Sequence, residues 1–229
     1  YPGILKLARQ GYDGRGQIQV ADAAAALAAW RELGGAPCIL ERRVSIDFEI
    51  SVVLARGADG DERAYPVAEN RHDRGILELS VVPAGIPAAL AQRAQEIAET
   101  IARSLDYVGV VSVEFFVVDG ELLVNEIAPR AHNSGHYTME ACVTSQFEQQ
   151  VRALCRLPLG ETTLHSAAAM ANVFGYAWRD GAPDWRHVIG DSGGKLHLYG
   201  KAQPRPRRKM GHITVLGEDA GAASRAAQA

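Results

Sequence analysis

The sequence predicts an α+β fold, and three observations carry that prediction. Strand-like and helix-like stretches alternate along most of the 229 residues. One segment, 87–105, places Leu90, Ala94, Ile97, Ile101 and Leu105 at helical spacing behind Pro87, the pattern of a long amphipathic helix. Two apolar runs, 108–118 and 122–127, flank Asp119-Gly120, a strong antiparallel hairpin signal.

The elements follow in order. Residues 4–8 read as a short strand that runs into a glycine-rich turn at 11–16. Asp22 can cap an Ala-rich helix ending near Gly34, because its carboxylate accepts from backbone N–H groups that the first turn leaves free. Residues 38–44 and 47–56 read as strands with a turn at 57–61, and 63–69 and 75–83 as two more. After the 87–105 helix and the hairpin, a helix is predicted over 144–155, stopped ahead of Pro158-Leu159-Gly160. From Ser166 the pattern reads as a separate small unit, with strands near 167–176, 195–199 and 212–216 and a short helix near 184–189. Residues 218–229 are small and polar and read as a loose tail.

Composition excludes several classes. With 47% hydrophobic and 22% charged residues the chain is globular rather than disordered. Its formal charge of 24 − 27 = −3 lacks the basic excess that nucleic acid or an anionic membrane would demand. No run approaches the roughly 18 apolar residues of a membrane helix. Cys38, Cys142 and Cys155 form no CxxC and cannot all pair, which fits a reducing cytoplasm. Cys142 and Cys155 lie at or near a helix without a catalytic partner and read as core residues. The chain opens with neither Met nor a signal peptide and reads like the middle of a fold.

Four constellations are suited to chemistry. Lys6 precedes Gly11-Tyr12-Asp13-Gly14-Arg15-Gly16-Gln17, where three glycines in six residues let backbone N–H groups approach an anion and two cations suit phosphate. Glu114 and Glu126, with Asn125, sit in strands otherwise rich in Val, Phe and Leu, where a carboxylate is costly unless paired or bound to metal. A two-residue loop at Asp119-Gly120 sets Glu114 opposite Asn125; a three-residue loop centred on Gly120 sets it opposite Glu126, where a divalent cation would relieve the repulsion. The run from Asn125 to His136 is dense in donors, and Arg130 can fork onto a carboxylate-like anion. Lys201-Ala202-Gln203-Pro204-Arg205-Pro206-Arg207-Arg208-Lys209 puts five cations in nine residues and could grip a phosphate.

Taken together these stretches resemble the ATP-grasp superfamily and, within it, the 5-(carboxyamino)imidazole ribonucleotide synthases. The resemblance rests on the Gly11–Gln17 loop, Tyr65-Pro66 to Asn70 with Gly75-Ile76-Leu77, Asn125-Glu126-Ile127-Ala128-Pro129-Arg130, His132-Asn133-Ser134-Gly135-His136, Thr144-Ser145-Gln146-Phe147-Glu148 and Arg208-Lys209-Met210-Gly211-His212. It implies an ATP-grasp fold with a partial lid at 1–56, a larger antiparallel-sheet catalytic part at 57–165, and a small β-rich C-terminal domain at 166–217. It implies that Lys6 and the loop Gly11, Tyr12, Asp13, Gly14, Arg15, Gly16 and Gln17 cover the phosphates of ATP. Glu41, Arg42, Arg43 and Val44 resemble the adenine hinge, Glu49 the ribose ligand, and His72 and Asn125 further nucleotide contacts. Glu114 and Glu126 resemble the Mg2+ ligands. Tyr12, Asp13 and Arg15 resemble residues facing an aminoimidazole ribonucleotide, Asp13 being a candidate to take the amine proton, and Lys201 and Arg208 resemble those holding its phosphate. Arg130, His132 and Asn133 resemble the bicarbonate pocket.

The implied reaction is ATP- and bicarbonate-dependent carboxylation of the exocyclic amine through carboxyphosphate, in purine biosynthesis. The implied setting is a cytoplasmic homodimer that passes its product to a carboxyaminoimidazole ribonucleotide mutase. Two departures stand out: Ala131 replaces a proline usual in the loop, and the family's N-terminal domain is expected to be missing. Rival readings are a formate-dependent transformylase or biotin carboxylase type of ATP-grasp ligase, or a truncated non-catalytic ATP-binding module. An interaction protein built on the basic segment rests on Lys201–Lys209 alone.

Overall fold

The computed structural model describes residues 2–9, 16–190 and 194–228, and the chain falls into two units, Tyr1–Asp47 with His72–Ile76, and Phe48–Arg71 with Leu77–Ala229. The first holds an antiparallel sheet of three strands, β1 (Gly3–Leu7), β2 (Gln17–Val20) and β3 (Cys38–Arg42), in the order β2-β1-β3. One helix, α1 (Ala23–Glu32), packs on it through Ala29, Leu5 and Val20. Asp22 caps α1 as expected, accepting from the Ala25 N–H at 2.8 Å. Strand β2 lies beyond the strands anticipated from sequence, and β3 stops at Arg42, two residues short of the expected limit.

The second unit is built on a nine-stranded sheet. Its strands are β4 (Phe48–Arg56), β5 (Glu62–Ala64), β6 (Ala68–Asp73), β7 (Ile76–Val82), β8 (Gly109–Val118), β9 (Glu121–Ala128), β10 (Ala167–Phe174), β11 (Lys195–Leu198) and β12 (Lys209–Gly217). Their order is β11-β12-β10-β7-β6-β4-β8-β9, with β5 beside β4. Strand β4 is central and buries Ile50 through Ala55 almost completely, which explains a run that is apolar apart from Ser51. Helix α2 (Ala88–Ser104) lays Ala94 and Ala98 against Ile50, Val52, Val113 and Phe115. Small residues four apart let it approach closely, and burying a side chain such as Phe115 contributes roughly 1.5–3 kcal/mol.

The structure refines the sequence reading along the chain, and corrects it at residues 63–69, at the C-terminal tail and at Cys155. Residues 63–69 are not one strand but two, β5 and β6. The polar stretch after β9 holds a 3-10 turn at Asn133–Gly135 and a short helix α3 (Thr138–Ala141), followed by the expected helix α4 (Gln146–Leu154). The strands expected after Ser166 join the main sheet: β10 pairs with β7 and carries β12 and β11, with α5 (Arg186–Gly190) ahead of β11. The expected loose tail is helix α6 (Ala220–Gln228), which starts where Asp219 accepts from the Ala222 N–H at 2.7 Å and seals Ala223 against Leu79 and Ala169. Cys155, expected in the core, is exposed at the end of α4, whereas Cys142 is buried and burial pushes its thiol up to about 12. Among the described residues no helix is long and apolar enough to cross a membrane.

Candidate functional site

The acidic pair is set by a turn and a bulge acting together. Asp119 (φ 52°) and Gly120 (φ 78°) form a two-residue left-handed turn, with Val118 opposite Glu121. Continued without change, that register would bring Asn125 opposite Glu114. A β-bulge between Glu114 and Phe115 shifts it, so Glu126 faces Glu114 and Asn125 is the extra residue. The Glu114 side chain is 13% exposed, whereas Glu126 is exposed. On the neighbouring strand, Glu49 brings a carboxylate oxygen within 4.8 Å of one from Glu114. Carboxylates this close repel, and hard oxygen donors of this kind fit a divalent cation such as Mg2+.

Chain leaving β9 folds straight back onto Glu114. His132 Nε2 lies 3.2 Å from Glu114 Oε1. The His132 ring also caps the 3-10 turn, its Nδ1 accepting from the Ser134 N–H at 3.3 Å and lying 2.9 Å from Ser134 Oγ. Gln146 at the start of α4 clamps the same residue: its Oε1 accepts from the His132 N–H at 2.9 Å and its Nε2 donates to the His132 carbonyl at 2.8 Å. A Cβ on Gly135 would meet Gln146 Oε1 at 2.7 Å, so the clamp requires glycine there. Asn133 and Asn172 exchange amide hydrogen bonds of 2.9 and 2.7 Å, tying the turn to β10. Arg130 is exposed, its guanidinium donating to the Ala131 carbonyl at 3.0 Å. The structure therefore gathers Glu49, Glu114, His132 and Asn133 on the second unit, with Glu126 opposite Glu114.

The remaining predicted residues are placed as follows. Lys6 on β1 pairs with Glu41 on β3 at 2.6 Å. Gly11, Tyr12, Asp13, Gly14 and Arg15 lie outside the described residues; Gly16 follows with φ 72°, and Gln17 opens β2. Arg42 ends β3, the Arg43 N–H donates to the Pro2 carbonyl at 3.1 Å, and Val44 falls beyond the strand. His72 is half-buried on β6. Lys201 donates to the Lys209 carbonyl at 2.6 Å, with its ammonium 5.3 Å from the centre of the Tyr199 ring. Arg208 donates to the Gln203 carbonyl at 3.1 Å.

Sequence reasoning missed a histidine stack. His197 on β11 faces His212 on β12, with ring centres 4.6 Å apart and planes 12° apart, and His136 lies 4.7 Å from His212. Tyr199 reaches His212 Nδ1 at 2.8 Å, and Glu140 on α3 reaches His197 Nε2 at 2.7 Å. Burial, with neighbouring cations, lowers His136 to about 4 and His212 to about 3, so both rings are neutral at pH 7. No spacing pattern links three histidines on a loop and two strands; only the register does. The roles of Gln146 and Ser134 were missed for the same reason.

Comparison with known proteins follows this geometry. Residues 1–147 match the model of the ATP-grasp domain family, and residues 168–226 match that of the phosphoribosylaminoimidazole carboxylase C-terminal domain. N5-carboxyaminoimidazole ribonucleotide synthase of Brucella melitensis is 46% identical over 217 residues, which are 93% of this chain and 59% of that protein. A solved ADP complex of N5-carboxyaminoimidazole ribonucleotide synthetase is 42% identical with a TM-score of 0.89, covering 100% of this chain and 60% of that one. The Aspergillus clavatus enzyme, solved with ADP and 5-aminoimidazole ribonucleotide, is 31% identical with a TM-score of 0.87, again over 100% and 60%. The chain thus spans about three fifths of the length of these relatives. With the expected α+β architecture present and the first 147 residues matching, the chain belongs to the ATP-grasp family.

Proposed function

We propose that this chain carries the ATP- and bicarbonate-dependent carboxylation of the exocyclic amine of 5-aminoimidazole ribonucleotide, as a ligase of purine biosynthesis. The observation that carries the reading is the β8–β9 pair: Glu114 faces Glu126, and the chain runs directly from Glu126 into Arg130, His132 and Asn133. The match of 168–226 to the carboxylase C-terminal domain and the names of the relatives support the substrate choice over formate or biotin chemistry.

Mg2+ held by Glu114 and Glu126 would neutralise charge on the phosphates of ATP. Lys6 and the Gly11–Gln17 loop hold those phosphates, and Glu41, Arg42, Arg43, Val44, Glu49, His72 and Asn125 take the rest of the nucleotide. Arg130, His132 and Asn133 hold bicarbonate where its oxygen attacks the γ-phosphorus; the bond to ADP breaks and carboxyphosphate forms. The amine then attacks the carboxyl carbon and phosphate leaves, the amine proton passing to Asp13. Tyr12, Asp13 and Arg15 orient the ribonucleotide, and Lys201 and Arg208 hold its phosphate. Most of the rate comes from position and charge, and exclusion of water preserves the labile intermediate. The reading includes a homodimer, supported by the exposed apolar residues Phe147, Val151 and Leu154 of α4. It also includes hand-over to a carboxyaminoimidazole ribonucleotide mutase and a cytoplasmic setting, the latter supported by the free cysteines.

The test is ADP release. It is expected to require both bicarbonate and 5-aminoimidazole ribonucleotide, and to fall by more than about 100-fold in Glu126→Ala. Stimulation by formate or biotin in their place would overturn the substrate assignment. Unchanged turnover in Glu126→Ala would overturn the metal role.

A further inference from the structure

The Ser134 backbone N–H can only donate, and it points at His132 Nδ1 from 3.3 Å. An Nδ1 that accepts carries no proton, so the ring proton sits on Nε2, the atom 3.2 Å from Glu114. A line of side chains reinforces that choice. Ser80 Oγ donates to Asn70 Oδ1 at 2.7 Å, Asn70 Nδ2 to Ser51 Oγ at 2.9 Å, and Ser51 Oγ to Ser134 Oγ at 2.8 Å. Ser134 Oγ, having accepted, has its own proton left for His132 Nδ1 at 2.9 Å. Every donor points toward the ring. Ser51, Ser80 and Ser134 are no more than 1% exposed and Asn70 is 5% exposed, so these groups must satisfy one another. The line crosses the adjacent strands β7, β6 and β4 and ends on the turn after β9.

We propose that Ser134, backed by Ser51, is a positioning residue that holds His132 as its Nε2–H tautomer, so that the ring donates to Glu114 and fixes the orientation of that carboxylate. Its importance for turnover rests on the reading of Glu114 as a cation ligand, but the tautomer does not. Hydrogen bonds one step behind a ligand fix its angle as well as its position, and their loss costs roughly 10–100-fold in metal affinity or activity.

The experiment is long-range 1H–15N correlation of the histidine rings in the 15N-labelled chain at neutral pH, without nucleotide or metal, with His132 assigned by its loss in His132→Asn. One protonated Nε2 and one bare Nδ1 are expected for His132. In Ser134→Ala, which keeps the backbone N–H but loses the hydroxyl, Nε2–H is expected to remain the major form with a measurable Nδ1–H population appearing, and Mg2+ affinity to fall roughly 10–100-fold. In Ser51→Ala, where Ser134 remains, a smaller shift in the same direction is expected; this variant also serves if Ser134→Ala does not fold. A wild-type ring protonated on Nδ1, or on both nitrogens, overturns the proposal. So does an unaltered Nε2–H pattern in both variants. A correct tautomer in a chain that binds no Mg2+ and ATP would count against the proposed function alone.

Discussion

Asn125 and Gln146 show how single residues define this site. Asn125 is the additional residue of the bulge; in an unbulged register Glu114 would face the Asn125 amide instead of a second carboxylate. Both glutamates could be picked out as costly carboxylates in apolar strands, but a bulge leaves no mark in a strand pattern. Gln146 is fully buried and answers both backbone groups of His132. Gln146→Ala would leave that N–H and carbonyl unanswered, at about 1–3 kcal/mol each. A loss of about 3 kcal/mol in denaturant unfolding is expected. Gln146→Glu should lose a comparable amount, because it still accepts from the N–H but turns a second oxygen toward the carbonyl. A loss under about 0.5 kcal/mol in both would show that the clamp contributes little.

Legibility of the elements depended on how local their cues were. Helices α1 and α2 were read because a cap and a spaced apolar stripe lie within each segment. Helix α6 reads as a tail in the sequence because its alanines and small polar residues form no strong stripe; Asp219, a capping residue ahead of Ala220, is the local cue. Its place depends on Gly217, where a Cβ would meet the Ala223 backbone nitrogen at 2.7 Å, and on Ala223, which has no exposure. Ala223→Glu is expected to release the helix at a cost of about 1–3 kcal/mol. Hydrogen exchange should then quicken across 220–228 while α2 and β4 stay protected. Unchanged protection of 220–228 would mean the helix is not anchored at Ala223.

At the scale of the whole molecule, the histidine stack links folding to acidity. Near pH 7 the folded state keeps His136 and His212 neutral, as the unfolded chain largely does. Below the ordinary value of 6.5 the unfolded chain takes up protons that the folded rings refuse until about 4 and about 3. The contribution of these two rings to stability is therefore constant above that value and falls with pH from about 6.5 to about 4, each ring adding a slope of up to about 1.4 kcal/mol per pH unit. Lys209, His197 and Arg130 face His136, and His136, His197 and Tyr199 face His212, so protonation of either His136 or His212 discourages the other. Urea midpoints measured from pH 7 to pH 4 should drop less steeply in His212→Gln than in the wild type. Parallel profiles would dissociate the stack from acid sensitivity.

By itself the sequence determined the α+β class, the long helices, the hairpin turn, the two glutamates and the polar run that follows them. Those features reside in neighbouring residues, in caps, turn dipeptides and periodic apolar positions, so a window of a dozen residues holds the cue. Only the tertiary structure decided that Glu126 faces Glu114, that Glu49 joins them, that His132 turns back onto Glu114, and that the C-terminal strands extend the main sheet. Each of these is a register or a contact between distant parts of the chain, as between Ser51 and Ser134, 83 residues apart. Such contacts form because buried polar groups must find partners and strands must find neighbours, and those partners are set by the packing of the whole sheet.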